Sequence, residues 1–204
     1  MSGQDRENAP EQARVVALIS ADAEWSAVRR CFPRVAFGHS PFGEWFHACL
    51  PSAQHRWPVT FLHGGWGKIA AAASTQYAVD RWHPRLLVNL GTCGGIAGQV
   101  SQGTVLLVER TVVYDIVEQM GDADSAIAHY TTELDLSWLT DPLPLPSQRA
   151  LLVSADRDLV VAELPSLRAK YDAPARTGIR LLTAGARRAA AERVGAEERP
   201  TGAR

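Results

Sequence analysis

The stretch from Leu86 to Glu109, LLVNLGTCGGIAGQVSQGTVLLVE, limits the possible folds most strongly. An apolar run (Leu86, Leu87, Val88, Leu90) stops at Gly91-Thr92-Cys93-Gly94-Gly95, and a second, Thr104 to Val108, follows Gly103. Short apolar runs bounded by glycine fit strands buried on both faces, as a parallel or mixed sheet requires. Glycines at 91, 94 and 95 allow positive φ and a close approach of backbone to a ligand. A loop beyond the end of a strand is where open α/β sheets bind ligands. The Thr92 hydroxyl and the loop amides suit a ribose or an anion. A plain turn between two strands is the competing reading.

Composition sets the outer limits. A chain of 204 residues fits one domain with a substantial core, and 46% apolar with 21% charged residues is ordinary for a globular protein. A formal net charge of −1 gives no electrostatic case for nucleic acid or an anionic membrane. Three cysteines (Cys31, Cys49, Cys93) without a CxxC argue for a reducing cytoplasm rather than a disulfide framework. The polar start, MSGQDRENAPEQAR, lacks the apolar core of a secretory signal, and no window approaches the ~18 apolar residues of a membrane helix. The expectation is a cytoplasmic protein with no membrane and no nucleic-acid partner.

Along the chain, residues 1–13 read as a flexible N-terminus. Val15 to Ile19 reads as a strand. The helix after it takes Ser20 or Asp22 as its cap, carries Glu24 in its first turn, and stops before Pro33. Glu24 is either a carboxylate that polarises water or a residue complementing the helix dipole. Trp45 to Leu50 and Val59 to His63 read as strands broken by Pro51 and Pro58. His39, His47, His55 and His63 recur every eight residues without the tight pairing of a metal site, so no metal is expected. Gly64-Gly65-Trp66-Gly67-Lys68 feeds a helix from Ile69 to Trp82, closed by Pro84. It is not a GxxxxGK[ST] loop, although amides after Gly65 could face an anion. Lys68 reads as a solvated helix residue, and the alanines at 70–73 as the face that lets the helix sit close to the sheet. Val105 to Val108, Thr111 to Ile116 and Leu151 to Ser154 read as strands, residues 121–149 as a surface excursion, and Ala162 to Tyr171 as a helix.

Taken in order, four pieces carry a family resemblance: VVALISADAEWSAV (Val15 to Val28), the Gly65 to Lys68 turn, the Gly91 to Gly95 loop with the Gly103 to Leu106 strand start, and LLVSADRDLV (Leu151 to Val160). They resemble the nucleoside phosphorylase and nucleosidase superfamily, in particular the bacterial methylthioadenosine/S-adenosylhomocysteine nucleosidases. The similarity covers residues 14–175. It implies a three-layer α/β/α sandwich with a mixed central sheet, of nucleoside phosphorylase type, and a possible homodimer. It also implies hydrolysis of the N-glycosidic bond of a purine nucleoside without a cofactor. Glu24 would be catalytic, acting on water; an ungapped comparison sets the family's glutamate one position later, at Trp25. Gly65, Thr92, Cys93 and Gly94 would lie at the ribose and water site, and Asp156, Asp158 and Leu159 beside the base. Asp158 stands where relatives commonly stack an aromatic ring, and Asp156 has the competing role of holding loop amides.

Beyond Ala175 the resemblance stops, which implies a C-terminally incomplete domain and an atypical tail, 176–204. Relatives continue with a ribose-binding glutamate and an aspartate that protonates the purine; here Asp172 is the last aspartate. The Ala/Arg/Gly-rich tail fits a shifted reading frame, because codons permitted for Arg176-Thr177-Gly178 contain GAC-TGG, Asp-Trp, in a neighbouring frame. The alternative is an amphipathic helix with Ile179, Leu182, Ala186 and Ala190 on one face. Impaired turnover follows from the missing acid. The rival functions are a phosphorylase of the same superfamily and a non-catalytic nucleoside-binding domain. A dinucleotide binder is disfavoured, since no GxGxxG follows the first strand.

Overall fold

A computed structural model describes residues 15–51, 56–95, 99–116, 118–140, 142–143, 145–155, 157, 160–171 and 178–181. Asp156, Asp158 and Leu159, the 1–13 segment and the tail past Leu181 lie outside the described residues. The chain divides into two compact units, residues 1–91 and 92–204.

The first unit is organised on β1 (Val15–Ile19), whose last four residues are all buried. Its VVALI sequence is apolar on both faces because it lies inside the sheet, with parallel neighbours on either side. The sheet runs β2-β3-β4-β1-β5, with β2 Gly38–His39, β3 Glu44–Pro51, β4 Arg56–His63 and β5 Leu86–Asn89. β3 and β4 form an antiparallel hairpin, whereas β4, β1 and β5 run parallel. β4 passes straight through Pro58, where a break was expected. Pro58 precedes Val59, where pairing to β1 begins, so its missing N–H leaves no gap in that ladder.

Two helices flank this sheet in sequence. α1 (Asp22–Cys31) begins after Ala21, and no side chain caps it, contrary to the Ser20/Asp22 expectation. Its end charges match the dipole instead: Asp22 and Glu24 in the first turn, Arg29 and Arg30 in the last. α2 (Gly67–Trp82) ends at His83, which takes the left-handed conformation (φ 44°) before Pro84. Ser74 and Ala78 are its buried positions. Ala70 and Ala71 are half-buried and Ala72 and Ala73 exposed, so only half of the alanine run meets the protein. The fit is close there: a Cβ on Gly64 would lie 2.8 Å from Ser74 Oγ. Lys68 is half-buried.

The core of this unit is aromatic. Phe46, fully buried, stacks on Phe61 (centroids 5.0 Å apart) and meets Trp25, Phe32 and Phe37 at 5.4–5.5 Å. On another cluster, Trp45 and Trp82 meet edge to face at 5.5 Å, and His47 packs against both while its Nδ1 lies 2.8 Å from Thr60 Oγ1. Burial, then the nearby Arg81 charge, hold His47 below its ordinary pKa of 6.5.

The second unit carries β6 (Gly94–Gly95), β7 (Leu106–Val113), β8 (Thr131–Glu133), β9 (Gln148–Ser154) and β10 (Gly178–Leu181), in the order β6-β10-β9-β7-β8. This sheet is also mixed: β7 and β10 run parallel to β9, β8 and β6 antiparallel to their neighbours. The two strands expected at 105–108 and 111–116 are one strand, β7, with a bulge between Val108 and Arg110. The Glu109 carbonyl accepts the Leu134 N–H at 2.8 Å, and its carboxylate pairs with Arg149. The 121–149 stretch is more ordered than a surface excursion, since it holds α3 (Ala123–His129) and β8. A 3-10 turn (Val161–Glu163) leads into α4 (Leu164–Tyr171). Ile179 sits in β10, not on a helix face, because residues 178–181 pair along β9 and carry its ladder outward.

Two stability outcomes follow. Phe46→Ala removes a ring from a fully buried position and should cost about 3–5 kcal/mol in urea unfolding. For His47, the unfolded chain takes up a proton as pH falls through 6.5 while the native imidazole resists it. Stability is therefore retained above that value and lost below it. Between about pH 7.5 and about pH 5.5 the unfolding midpoint should drop further for the wild type than for His47→Gln.

Candidate functional site

Parallel strands deliver their carboxyl ends to one edge of a sheet, and in the first unit that edge collects three loops. β1 leads into Ser20 and α1, β4 into Gly64 and Gly65, and β5 into Leu90 and Gly91. The ladder continues past the strands: the Gly64 N–H donates to the Ile19 carbonyl and the Leu90 N–H to the Leu18 carbonyl, both at 2.9 Å. β5 is half-buried and lies at the edge of its sheet, whereas the sequence suggested a strand covered on both faces.

Glu24 stands on this edge, in the first turn of α1, directly over Gly91. A Cβ on Gly91 would lie 3.1 Å from Glu24 Oε2 and 3.3 Å from Oε1. Gly91 leaves room for this close approach, and its φ is not positive. Gly65 does carry a conformational demand, at φ 77°, and a Cβ there would sit 3.3 Å from the Ala70 methyl. The helix N-terminus favours negative charge at Glu24.

The neighbouring residue goes the opposite way. Trp25 is 3% exposed, stacks on His63 (centroids 5.3 Å apart, planes 5° apart) and packs on Phe46. Its indole Nε1–H donates to Glu44 Oε2 at 3.0 Å, and Arg29 Nη1 donates to the same oxygen at 3.0 Å. The two registers for the family's glutamate therefore separate physically: position 25 is inside, position 24 carries the carboxylate at the loop edge.

The remaining sequence candidates belong to the second unit, whose boundary falls between Gly91 and Thr92. Thr92 is exposed, and Cys93 and Gly94 are half-buried. Gly94 and Gly95 pair with Leu181 and Arg180 of β10. A Cβ on Gly95, whose φ is not positive, would press on Val100 at 3.1 Å. Following β7, the Tyr114 N–H donates to the Ser154 carbonyl at 3.1 Å, and the Arg157 guanidinium lies 5.5 Å from the Tyr114 ring centre. Arg157 makes a two-pronged pair with Glu163, at 2.9 and 2.6 Å, which holds the Glu163 carboxyl below its ordinary range. Among the described residues, no group of three or more His, Cys, Asp or Glu side chains is placed to hold a metal ion. No described helix is long and apolar enough to cross a membrane. His63, Glu44 and the Gly91 contact escaped the sequence reading; the signal available was His63 at the end of a strand.

A family model described as the phosphorylase superfamily matches residues 19–186. The chain belongs to the phosphorylase superfamily. Its match runs past Ala175, where the quoted motifs were expected to end the resemblance, and takes in β10. The 5'-methylthioadenosine/S-adenosylhomocysteine nucleosidase of Listeria welshimeri is 34% identical over 58 residues, 28% of this chain and 25% of that protein. The nucleosidase of Oceanobacillus iheyensis is 32% identical over 62 residues, 30% and 27% of the two chains. The chain thus spans about a quarter of the length of these curated relatives in the aligned stretch. In fold the likeness is broader. The Neisseria meningitidis nucleosidase bound to methylthio-immucillin-A superposes with TM-score 0.61 at 16% identity, covering 89% of this chain and 81% of that one. The Streptococcus pyogenes enzyme bound to 5-methylthiotubericidin gives 0.65 at 14% identity, covering 92% and 80%. The α/β class with mixed sheets, of nucleoside phosphorylase type, is as the sequence suggested.

The contact between Glu24 and Gly91 is open to a double-mutant cycle. Gly91→Ala alone should cost no more than about 1 kcal/mol in urea unfolding, because Gly91 is exposed and the methyl meets the end of a flexible side chain. In a Glu24→Ala background the same change should cost at least about 0.5 kcal/mol less.

Proposed function

We propose that the chain is a purine nucleosidase that hydrolyses the N-glycosidic bond of methylthioadenosine or S-adenosylhomocysteine. The observation that carries this reading is the Glu24 carboxylate over Gly91 at the carboxyl edge of the parallel strands. The nucleosidase names of the relatives support the substrate class.

In this reading Glu24 accepts a proton from water as the water oxygen forms its bond to the anomeric carbon. The C1′–N9 bond breaks and its electron pair leaves with the purine. A fixed carboxylate suits the task, because it both orients the nucleophile and faces the positive charge of an oxocarbenium-like ribosyl centre. Thr92, Cys93 and Gly94 take the ribose and the water, and Gly65 is a further substrate-binding residue. Asp156, Asp158 and Leu159 take the base side. No metal or organic cofactor enters the reaction. The leaving purine takes its proton from solvent water, no side chain being assigned as its acid. Turnover is accordingly slow. The domain takes in residues 14–175 together with β10, which pairs along β9, and a shifted frame accounts only for the part of the 176–204 tail past the family match, which ends at residue 186. The protein works in the cytoplasm, and a second copy is its partner.

The decisive assay is chromatographic detection of adenine released from methylthioadenosine. Glu24→Gln, which keeps the shape and loses the base, should lower release by about 10²–10⁴-fold, or to background, while calorimetry still detects adenine binding. Equal release from wild type and variant would remove Glu24 from the chemistry. A rate that rises with phosphate, yielding a ribose 1-phosphate, would make the protein a phosphorylase; adenine binding without release would make it a binding domain.

A further inference from the structure

His63 ends β4 and plays no part in the chemistry above, yet three parts of the first unit converge on its ring. One face lies flat on Trp25. Its Nε2 sits 3.4 Å from Asp22 Oδ1, in ion-pair range, and is buried without a hydrogen bond among the described residues. The Ser40–Gly43 turn closes over it: a Cβ on Gly43 would lie 2.8 Å from the His63 carbonyl and 3.1 Å from Nδ1. That turn is internally fixed by the Ser40 Oγ, which donates to the Gly43 carbonyl at 2.9 Å and accepts the Gly43 N–H at 3.1 Å. The next residue, Glu44, accepts the Trp25 indole N–H.

Asp22 and Trp25 bracket Glu24 on the first turn of α1, and the Trp25 N–H closes that turn on the Ala21 carbonyl at 2.9 Å. Helix ends fray because their first amides lack partners inside the helix, and no side chain caps this one. Something else must hold the turn. We propose that His63 is a positioning residue, its stacked ring clamping the first turn of α1 through Trp25 and Asp22 so that Glu24 stays over Gly91. The flat stack does the holding and the Asp22 contact is secondary, since Asp22 is mostly exposed. A role for Glu24 in turnover rests on the nucleosidase reading; the clamp itself does not.

Amide hydrogen exchange on the full chain separates the two. An aromatic stack is worth about 0.5–1.5 kcal/mol, so in His63→Ala the Trp25 amide should exchange about three- to tenfold faster, while β1 amides change less than twofold. His63→Phe, which keeps a flat ring, should restore Trp25 protection to near the wild-type rate. Where His63→Ala does not fold, His63→Leu fills the space without a flat face and should show the same selective loss. Unchanged Trp25 exchange in the Ala or Leu variant overturns the clamp, and so does an equal loss along β1, which would mark His63 as ordinary core. If adenine release depends on Glu24, His63→Ala should also lower kcat about three- to tenfold with KM within about twofold. Should no release be found, the exchange result still decides the clamp, and only the nucleosidase reading falls.

Discussion

Everything proposed for this protein depends on one turn of helix in which adjacent residues are sent to opposite fates. Successive helical side chains diverge by about 100° around the axis, so Glu24 and Trp25 cannot face the same medium. Trp25 has the larger apolar surface and the better partners: Phe46 against its ring, His63 flat on its face, and Glu44 for its indole N–H. A buried indole whose N–H is satisfied is about as stable a pin as a core offers. Once it is driven home, Glu24 has nowhere to go but the loop edge. The burial of Trp25 sets the direction in which the Glu24 carboxylate leaves the helix.

That dependence explains what could be read from the sequence and what could not. β1 is legible because a strand with parallel partners on both sides must be apolar on both faces, and VVALI is. The ends of α2 are nearly legible, since Gly67 and the His83-Pro84 pair leave the chain few other choices. The capping of α1 is not legible: Ser20 and Asp22 are good capping types, yet the N-terminus forms at Ala21 without either. Here tertiary packing through Trp25 decides where the helix starts, and local preference loses. β7 shows the same kind of override. Glu109 and Arg110 look like an interruption, but a bulge lets the strand continue while each charge finds a partner, Arg149 for one and Glu133 for the other.

The glycines carry a related lesson. The sequence reading gave Gly91 two uses, positive φ and close approach, and only the second operates. Left-handed conformation is demanded at Gly65 and Gly67 instead, where β4 must turn sharply into α2. Glycine count alone cannot separate these cases, because both look identical in one dimension. What separates them is which atom lies where a Cβ would be. At Gly91 that atom belongs to an acidic side chain of a distant segment, and this makes the glycine part of the candidate site rather than part of a turn.

In the nucleosidase reading proposed for this chain, cleaving an N-glycosidic bond has two sides. On the attacking side the candidate is Glu24, whose neighbour Trp25 packs in a dense aromatic cluster that includes a fully buried Phe46. On the departing side Asp172 is the last aspartate of the sequence, with Glu192, Glu197 and Glu198 as the acidic residues after it. Acid and base each contribute about 10²–10⁴ to such reactions, but contributions of groups that act as a unit do not simply add. A site holding only the base keeps the part of the acceleration that depends on placing water against the ribosyl centre. It loses the part that depends on neutralising the purine as it leaves. The consequence is selectivity for leaving groups that need little help: a purine already protonated, or one made more acidic by substitution, depends least on the missing partner. Reactivity in such a protein should follow the acidity of the base far more steeply than in an enzyme that owns both halves.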